Sequence, residues 1–259
     1  MLSSSIIMKA SDIITQLEAL RNETQQQNLM RFFKTGEGEY GEGDRFLGLK
    51  VPQTRAVVKD VAQDFPLKEI PELLHNAWHE VRLCGLLILV DRFQRHTVKR
   101  LVDNTDAIRM RDEIVSMYLA HAEQANNWDL VDLSAPKIIG HWLMLSSFLG
   151  DSNDKRVIVD TLAQSTCLWK QRISMVCTWK PLQMGEASWC LHYAEMHMLH
   201  PHDLMRKAVG WMLREMGKRV SMEQLRAFLH QHVRQMPRTT LRYAIEKMSE
   251  KERKRWMTR

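Results

Sequence analysis

The fold is decided by a stretch that runs from Gln171-Arg172-Ile173 through Arg206-Lys207-Ala208-Val209 to Thr240-Leu241-Arg242-Tyr243. Each of these three pieces begins with polar or basic residues and continues with apolar residues at helical spacing. Arg172, Lys207 and Arg242 follow one another at steps of 35 residues. A constant step of this size indicates repeated pairs of helices, in which one position returns in every second helix.

Helical periodicity extends over the rest of the chain. Ser11 is the expected cap of a first helix, and a second helix is expected at about 25–33. Further helices are predicted at about 53–64, 69–76, 81–90, 108–123, 128–148, 154–164, 168–179, 185–198, 203–218, 221–230 and 237–248. The predicted fold is therefore all-α, an α-α superhelix of HEAT- or armadillo-like repeats. An irregular helical bundle is the alternative.

The length of 259 residues suits one large domain or two small ones, and we predict a single domain over 1–259. Three parts stand apart from the repeats. An N-terminal helix lies within 1–24, a Gly-rich acidic loop covers 35–48, and a basic tail covers 249–259, where disorder would be unsurprising.

Composition excludes several classes of protein. The chain is 44% hydrophobic and 26% charged, as in ordinary globular proteins. Its four cysteines form no CxxC pair, and the group of Cys190, His192, His197, His200 and His202 matches no zinc spacing. No apolar run reaches the length of a membrane span, and the first residues do not form a signal peptide. We expect a cytoplasmic monomer without a metal or a cofactor.

The net charge of +6 and the pI of about 9.2 are a mild indication of a polyanionic partner. In a superhelix, one position of successive second helices lies on the concave surface. Arg82, Arg172, Lys207 and Arg242 would then form a basic stripe in a concave DNA-binding groove, facing the phosphate backbone. The alternative is a solvated charged face, and charge alone favours that alternative.

The segment Asn127-Trp128-Asp129-Leu130-Val131-Asp132 begins one of the predicted helices. Asn127 is a good N-cap, and Asp129 in the first turn interacts favourably with the helix dipole. Pro136 is expected to kink this helix or to close its first turn, because proline cannot donate a backbone hydrogen bond.

Trp128 and Asp132 are four residues apart and share one helix face. On a DNA-binding face the Asp132 carboxylate would repel phosphate, so it belongs there only if it serves the bound state. One interpretation is therefore catalysis. The other is that Asp132 forms a structural ion pair with Arg172 and that Trp128 is a core residue.

Four segments, taken together and in order, point to one family. They are Phe32-Phe33-Lys34-Thr35 with Phe46-Leu47-Gly48-Leu49-Lys50-Val51-Pro52-Gln53-Thr54-Arg55, then Trp128-Asp129-Leu130-Val131-Asp132, then Leu168-Trp169-Lys170-Gln171-Arg172, then Lys207-Ala208-Val209-Gly210-Trp211-Met212-Leu213-Arg214-Glu215. With these segments the chain resembles the AlkD-like DNA alkylation repair enzymes, a family of HEAT-like-repeat DNA glycosylases. The resemblance covers about residues 25 to 248.

The resemblance implies roles for individual residues. Asp132 would be the catalytic carboxylate, and Arg172 would hold the DNA backbone close by. Trp128 and Trp211 would bracket the deoxyribose of the lesion. Phe32 stands where the best-known members are expected to have a tyrosine, so the hydroxyl is lost and the stacking surface is kept. Together with the basic stripe, these segments lead us to expect DNA contacts from Phe32, Lys34, Arg82, Lys170, Lys207, Arg214 and Arg242.

The implied activity is hydrolysis of the N-glycosidic bond of cationic N3- or N7-alkylated purines in duplex DNA. Positive charge develops on the sugar as this bond breaks, and a nearby carboxylate both stabilises that charge and orients a water. Two alternatives remain at this point. One is a catalytically silent protein that binds damaged or bent DNA, and the other is a helical-repeat scaffold for protein partners.

Overall fold

The computed structural model describes residues 8–258, and helices account for the regular structure in this range. Apart from one bridge between Arg45 and Trp78, these residues form no β-structure, which confirms the all-α prediction. The chain divides into two compact units, Met1–Ser134 and Ala135–Arg259, called unit 1 and unit 2 below. The single domain expected from the sequence stays a prediction, as does the concave groove.

Unit 1 is organised around one long buried helix. Its helices are α1 (Ala10–Glu18), α2 (Glu23–Phe32), α3 (Val51–Val61), α4 (Ile70–Leu74), α5 (His79–Arg95), α6 (Thr105–Ala120) and α7 (Trp128–Ser134), with 3-10 turns at Leu67–Glu69 and Ala122–Gln124. Helix α5 packs on α1, α3, α4, α6 and α7. Because its sequence is apolar on every side, each residue from His79 to Val90 is buried. Three polar residues of its first turn, His79, Glu80 and Arg82, are buried with it.

Unit 2 is organised around α13. Its helices are α8 (Ile139–Trp142), α9 (Ser152–Ala163), α10 (Leu168–Val176), α11 (Trp179–Gln183), α12 (Ser188–His197), α13 (Asp203–Arg219), α14 (Met222–His232), α15 (Arg238–Ala244) and α16 (Glu250–Met257). Helix α13 packs on α10, α11, α12, α14 and α15. Arg172, Lys207 and Arg242 are each the fifth residue of α10, α13 and α15. The 35-residue step therefore marks one position of three helices that pack in sequence, which confirms the repeat.

Several predicted helix boundaries differ from the structure (α5, for example, extends to Arg95), and two of the differences have a local cause. The helix expected at 128–148 is broken near Pro136: α7 ends at Ser134 and the short α8 begins at Ile139, because proline lacks the N–H that would continue the ladder. Ser11 is not the cap of the first helix. Lys9 is, and the Asp12 side chain accepts a hydrogen bond of 2.8 Å from the Lys9 N–H.

The loop and the tail are better ordered than their composition indicates. At 35–48 no helix forms, as predicted, but the Glu39 and Glu42 carboxylates accept hydrogen bonds from the Gly36 and Gly38 N–H groups at 3.0 and 2.9 Å. In the basic tail, residues 250–257 form α16 and Trp256 is buried. Within the described residues, no helix is both long and apolar enough to cross a membrane.

Gly210 sets the close approach of α13 and α15. A Cβ at this position would lie 2.5 Å from both the Thr240 carbonyl oxygen and the Tyr243 Cβ. We expect Gly210→Ala to lower the free energy of unfolding by at least about 1 kcal/mol, since the clash outweighs the better helix propensity of alanine. Urea denaturation measures this. Gly36→Ala is the control, because its nearest neighbour is the flexible end of Glu39 at 3.0 Å, and an equal loss in both variants would contradict the packing argument.

Candidate functional site

Asn127, directly before α7, anchors the beginning of this helix. Its side-chain oxygen accepts a hydrogen bond of 2.8 Å from the Trp128 N–H, and its carbonyl accepts one of 3.2 Å from the Val131 N–H. The Asn127 amide also donates to the Asp44 carboxylate at 3.1 Å. Asn127 therefore starts the helix, as predicted, and also joins it to the 35–48 loop.

A buried histidine links the same loop to the same helix. The His79 ring lies between two carboxylates, with Nδ1 2.8 Å from Asp44 and Nε2 3.0 Å from Asp129. Arg82 donates to the other Asp44 oxygen at 2.5 Å. We call these four side chains, Asp44, His79, Arg82 and Asp129, the buried charge network.

The network favours the charged forms of His79 and Asp44. Burial disfavours a charged imidazole, but the Asp129 and Asp44 carboxylates outweigh burial and raise the pKa of His79 to about 9. Burial likewise opposes ionisation of Asp44, but hydrogen bonds and attraction from His79 and Arg82 lower its pKa below the usual value. At neutral pH, His79 is therefore a cation that can donate to both carboxylates.

Glu80 fixes the end of the 35–48 loop. Its carboxylate accepts hydrogen bonds from the N–H groups of Leu47, Gly48 and Leu49 at 2.8, 2.9 and 3.0 Å. Gly48 has a φ of +90°, and a Cβ there would lie 2.1 Å from the Asn22 carbonyl oxygen. Only glycine fits this turn. The turn directs the preceding Phe46 into the interior of unit 1.

Trp128 ends a row of aromatic rings. It stacks on Phe33 at 5.3 Å, Phe33 stacks on Phe46 at 5.1 Å, and Phe46 stacks on His79 at 4.4 Å. Phe32 meets the Trp128 ring edge-on at 5.9 Å, and 63% of Phe32 is exposed. Trp128 itself is half-buried and its indole N–H donates to the Tyr40 hydroxyl at 3.3 Å. We call Phe32, Phe33, Phe46 and Trp128 the aromatic row.

Unit 1 thus brings together several residues that the sequence singled out. Phe32 and Trp128 touch, and the half-buried Asp132 follows one turn later on α7. Lys34, which follows Phe32 and Phe33 in the sequence, is exposed and has a φ of 52°, unusual for a residue other than glycine. The end of α2 therefore meets the beginning of α7 at these two rings, and Asp132 lies one turn further along α7.

The structure corrects the predicted role of Arg82. We expected it to contact phosphate as part of the basic stripe, but it is 4% exposed and its guanidinium is bound to Asp44 and to the carbonyls of Asn76 and Ala77. An arginine in this apolar helix needs a buried partner, and the loop supplies one. Arg82 therefore has a structural role within unit 1.

In unit 2, Arg172 is also largely buried. Only 5% of it is exposed, and its guanidinium donates to the Leu204 carbonyl at 2.7 Å. His200 lies in the turn between α12 and α13. Its ring hydrogen-bonds the Gln171 side chain at 2.9 Å, and its carbonyl accepts a hydrogen bond from Arg206 at 2.9 Å. The turn between α12 and α13 thus anchors the beginning of α10, where the half-buried Lys170 also lies.

The remaining basic candidates of unit 2 have acidic neighbours. Lys207 pairs with Asp203 at 2.7 Å, and Arg214 pairs with Glu215 at 3.3 Å and also with Glu246. Arg242 is exposed and lines an open cleft of about 510 Å³ formed by Asp203, Lys207, Thr239, Arg242, Tyr243 and Glu246. Trp211 is half-buried on α13. The contacts of these residues with DNA stay predictions.

The histidines around Cys190 do not gather as metal ligands. Among the residues that the structure describes, no group of three or more His, Cys, Asp or Glu side chains could hold a metal ion. His197 instead hydrogen-bonds Ser174 at 2.9 Å, and burial together with the neighbouring charge of His200 lowers its pKa to about 4.

Sequence reasoning missed the buried charge network and the role of Tyr40. Asp44 was predicted only as part of the Gly-rich acidic loop, and Asp129 only as a charge that interacts with the helix dipole. One signal was present: His79, Glu80 and Arg82 crowd the first turn of an apolar helix, and buried charges of this kind require partners. What the sequence did not reveal is which acidic residues are those partners.

The comparisons with known proteins agree with this architecture. The model of one family, described as DNA alkylation repair enzyme, matches residues 13–248. The chain belongs to this family of DNA alkylation repair enzymes. A search of curated proteins gave no match.

A similar fold occurs in a solved structure from Enterococcus faecalis, described as a predicted DNA alkylation repair enzyme. The two structures superpose with a TM-score of 0.64 over 89% of this chain and 97% of the other, at 15% sequence identity. At this identity the likeness supports the helical fold alone.

The buried charge network makes the stability of the protein depend on pH. Because folding raises the pKa of His79 from 6.5 to about 9, its contribution is complete below about pH 6.5 and is lost as the pH rises through 9. Between pH 6.5 and 9.5, the free energy of unfolding of wild type should fall by about 3 kcal/mol more than that of His79→Gln. Denaturant titrations between pH 6.5 and 9.5 measure the difference.

His192→Gln is the matched control, since its ring is exposed and hydrogen-bonded to Asp160 at 3.3 Å. This variant should keep the pH dependence of wild type. Parallel pH curves for wild type and His79→Gln would show that His79 is not a cation in the folded protein.

Proposed function

We propose that the protein is a DNA glycosylase that hydrolyses the N-glycosidic bond of cationic N3- or N7-alkylated purines in duplex DNA. Family membership supports the general role in DNA alkylation repair. The observation that carries the finer proposal is the start of α7, where the half-buried ring of Trp128 lies against an exposed Phe32 and the Asp132 carboxylate follows one turn later.

The chemistry of the substrate suits this arrangement. A purine alkylated at N3 or N7 is already positively charged, so it leaves readily and needs no strong general acid. As it leaves, positive charge builds up on the sugar. In the proposed reaction the Asp132 carboxylate stabilises this charge and orients the water that attacks C1′.

Aromatic rings contribute to the same step. A ring face attracts a nearby cation by about 0.5–2 kcal/mol, and the family resemblance assigns this role to Trp128 and Trp211. The resemblance also assigns Arg172 to the DNA backbone beside the lesion, although 5% of Arg172 is exposed in the free protein. Stacking of Phe33 on Trp128 fixes the indole in advance, so less of its rotational freedom has to be lost when DNA binds.

Recognition through sugar and charge predicts a particular range of lesions. Many enzymes that act on bases flip the base into a closed pocket that reads its edges. The proposed contacts instead detect positive charge at the glycosidic bond, so cationic lesions should be preferred over neutral ones and bulky adducts should be tolerated. Action as a cytoplasmic monomer, expected from the sequence, stays a prediction.

Asp132→Asn tests the catalytic assignment. The variant keeps the size of the side chain and removes its charge, so we expect it to fold and to lose at least about a hundredfold in the single-turnover rate of 7-methylguanine release from duplex DNA. Asp106→Asn, an exposed carboxylate of unit 1, is the matched control and should retain the wild-type rate. Near wild-type release by Asp132→Asn would mean that the carboxylate is not catalytic.

The salt dependence of binding tests the contact with the DNA backbone. We expect affinity for an abasic duplex to fall steeply with salt concentration, because basic side chains release counterions from the phosphates. Lys34→Gln should reduce the slope of log affinity against log salt by about one. The exposed Lys99 of unit 1 provides a control substitution, Lys99→Gln, which should leave the slope unchanged. A flat response in wild type would argue against binding through the backbone.

A further inference from the structure

The first two residues of α7 are held in two different ways. Trp128 is held by its ring, which stacks on Phe33 and donates to the Tyr40 hydroxyl. Asp129 is held by its carboxylate, which accepts from His79 at 3.0 Å. Since the two residues are adjacent in the first helical turn, the Asp129 carboxylate and the Trp128 ring are carried by the same short stretch of backbone.

His79 is well placed to control that backbone. It is the first residue of α5, the buried helix on which α1, α3, α4, α6 and α7 pack, and 2% of it is exposed. Its ring also supports the aromatic row directly, stacking on Phe46 and lying 5.2 Å from Phe33. Loop, helix and aromatic row therefore all meet at this one imidazole.

We propose that His79 is a positioning residue of the reaction: as a buried cation held between Asp44 and Asp129, it fixes the first turn of α7 and thereby the place of the Trp128 ring. This inference rests on the proposed function. His79 does not touch the substrate in this account, and it acts through Asp129 and the aromatic row.

The charge of the His79 ring matters because it sets how many N–H groups the ring can donate. A protonated imidazole donates from both nitrogens, so it satisfies both carboxylates at once, whereas a neutral imidazole has one N–H. Asp44 has other donors in Arg82 and Asn127. The second oxygen of Asp129 is buried and has no hydrogen-bond partner, so Asp129 depends on the His79 N–H. A neutral imidazole, with one N–H, no longer bridges both carboxylates.

The charged groups that face His79 come from three elements. They are Asp44 from the 35–48 loop, Arg82 from α5 itself and Asp129 from α7. The rings of Phe33 and Phe46 lie beside the imidazole and carry no charge. Tyr40 is the titratable group that contacts the Trp128 indole, so its hydroxyl needs a separate control.

The test follows the indole N–H signal of Trp128 in ¹⁵N–¹H spectra, assigned by its absence in Trp128→Phe. Between pH 7 and 10 this signal should shift with a midpoint near 9 in wild type and in Tyr40→Phe, and it should show no such transition in His79→Gln. The other indole signals of the chain serve as internal references. A wild-type signal that does not move, or a transition that disappears only with Tyr40, would overturn the proposal without any reference to activity.

A rate measurement then connects the position of the ring to chemistry. With enzyme in excess at pH 7.5, His79→Gln should release 7-methylguanine about tenfold more slowly than wild type, with affinity for duplex DNA within about twofold. His75→Gln is the control, because His75 is an exposed histidine of unit 1 that pairs with His121 at 2.9 Å, and it should keep the wild-type rate.

The outcomes separate the two proposals. A folded His79→Gln with wild-type rate and an unchanged Trp128 signal overturns the positioning role and leaves the glycosylase intact. Wild type that releases no methylated purine overturns the glycosylase, while the titration of the Trp128 signal still decides whether His79 controls the ring. If His79→Gln does not fold, the wild-type and Tyr40→Phe titrations carry the decision.

Discussion

Burial of charge at the start of α5 is the constraint on which unit 1 depends. An apolar helix packed on all sides brings His79, Glu80 and Arg82 into the interior with it. Buried charges of this kind are tolerated only when partners satisfy them. The 35–48 loop supplies Asp44 and a row of backbone N–H groups, and α7 supplies Asp129. An acidic, Gly-rich stretch that could have been a loose loop is thereby an integral part of the fold.

The proposed chemistry is built on top of this constraint. The residues that hold the network also place the aromatic row, since Asp129 neighbours Trp128 in sequence and His79 stacks on Phe46. A ring that must meet a developing positive charge gains from being held in advance, because the alignment does not have to be achieved anew with each substrate. The opposite charges of the network pair inside unit 1, and Phe32 is the exposed ring of the aromatic row.

The sequence was sufficient for the fold class and insufficient for the pairing of charges. The helical period and the 35-residue step predicted the helices and their repeat correctly. Both follow from the spacing of apolar residues, which shows which face of each helix is buried. Arg82 was misjudged for the opposite reason: whether an arginine faces DNA or a carboxylate depends on Asp44, thirty-eight residues away in the chain. The same holds in unit 2, where Arg214 occupies a predicted position but is paired with acidic side chains. The helix break near Pro136 was foreseen in kind but not in extent, since the length of an interruption depends on the packing around it. The assignment of Asp132 came from family resemblance, and its chemistry is a proposal on physical grounds.

The most direct test of the account is a double-mutant cycle between His79 and Asp129. The free energies of unfolding of wild type, His79→Gln, Asp129→Asn and the double variant are measured at pH 7 by denaturant titration. If the buried ion pair joins α5 to α7, the double variant loses less than the sum of the single losses, with a coupling of at least about 1 kcal/mol. Losses that add to within about 0.3–0.5 kcal/mol would show that the two side chains act independently, and the account of how unit 1 holds Trp128 would then be wrong.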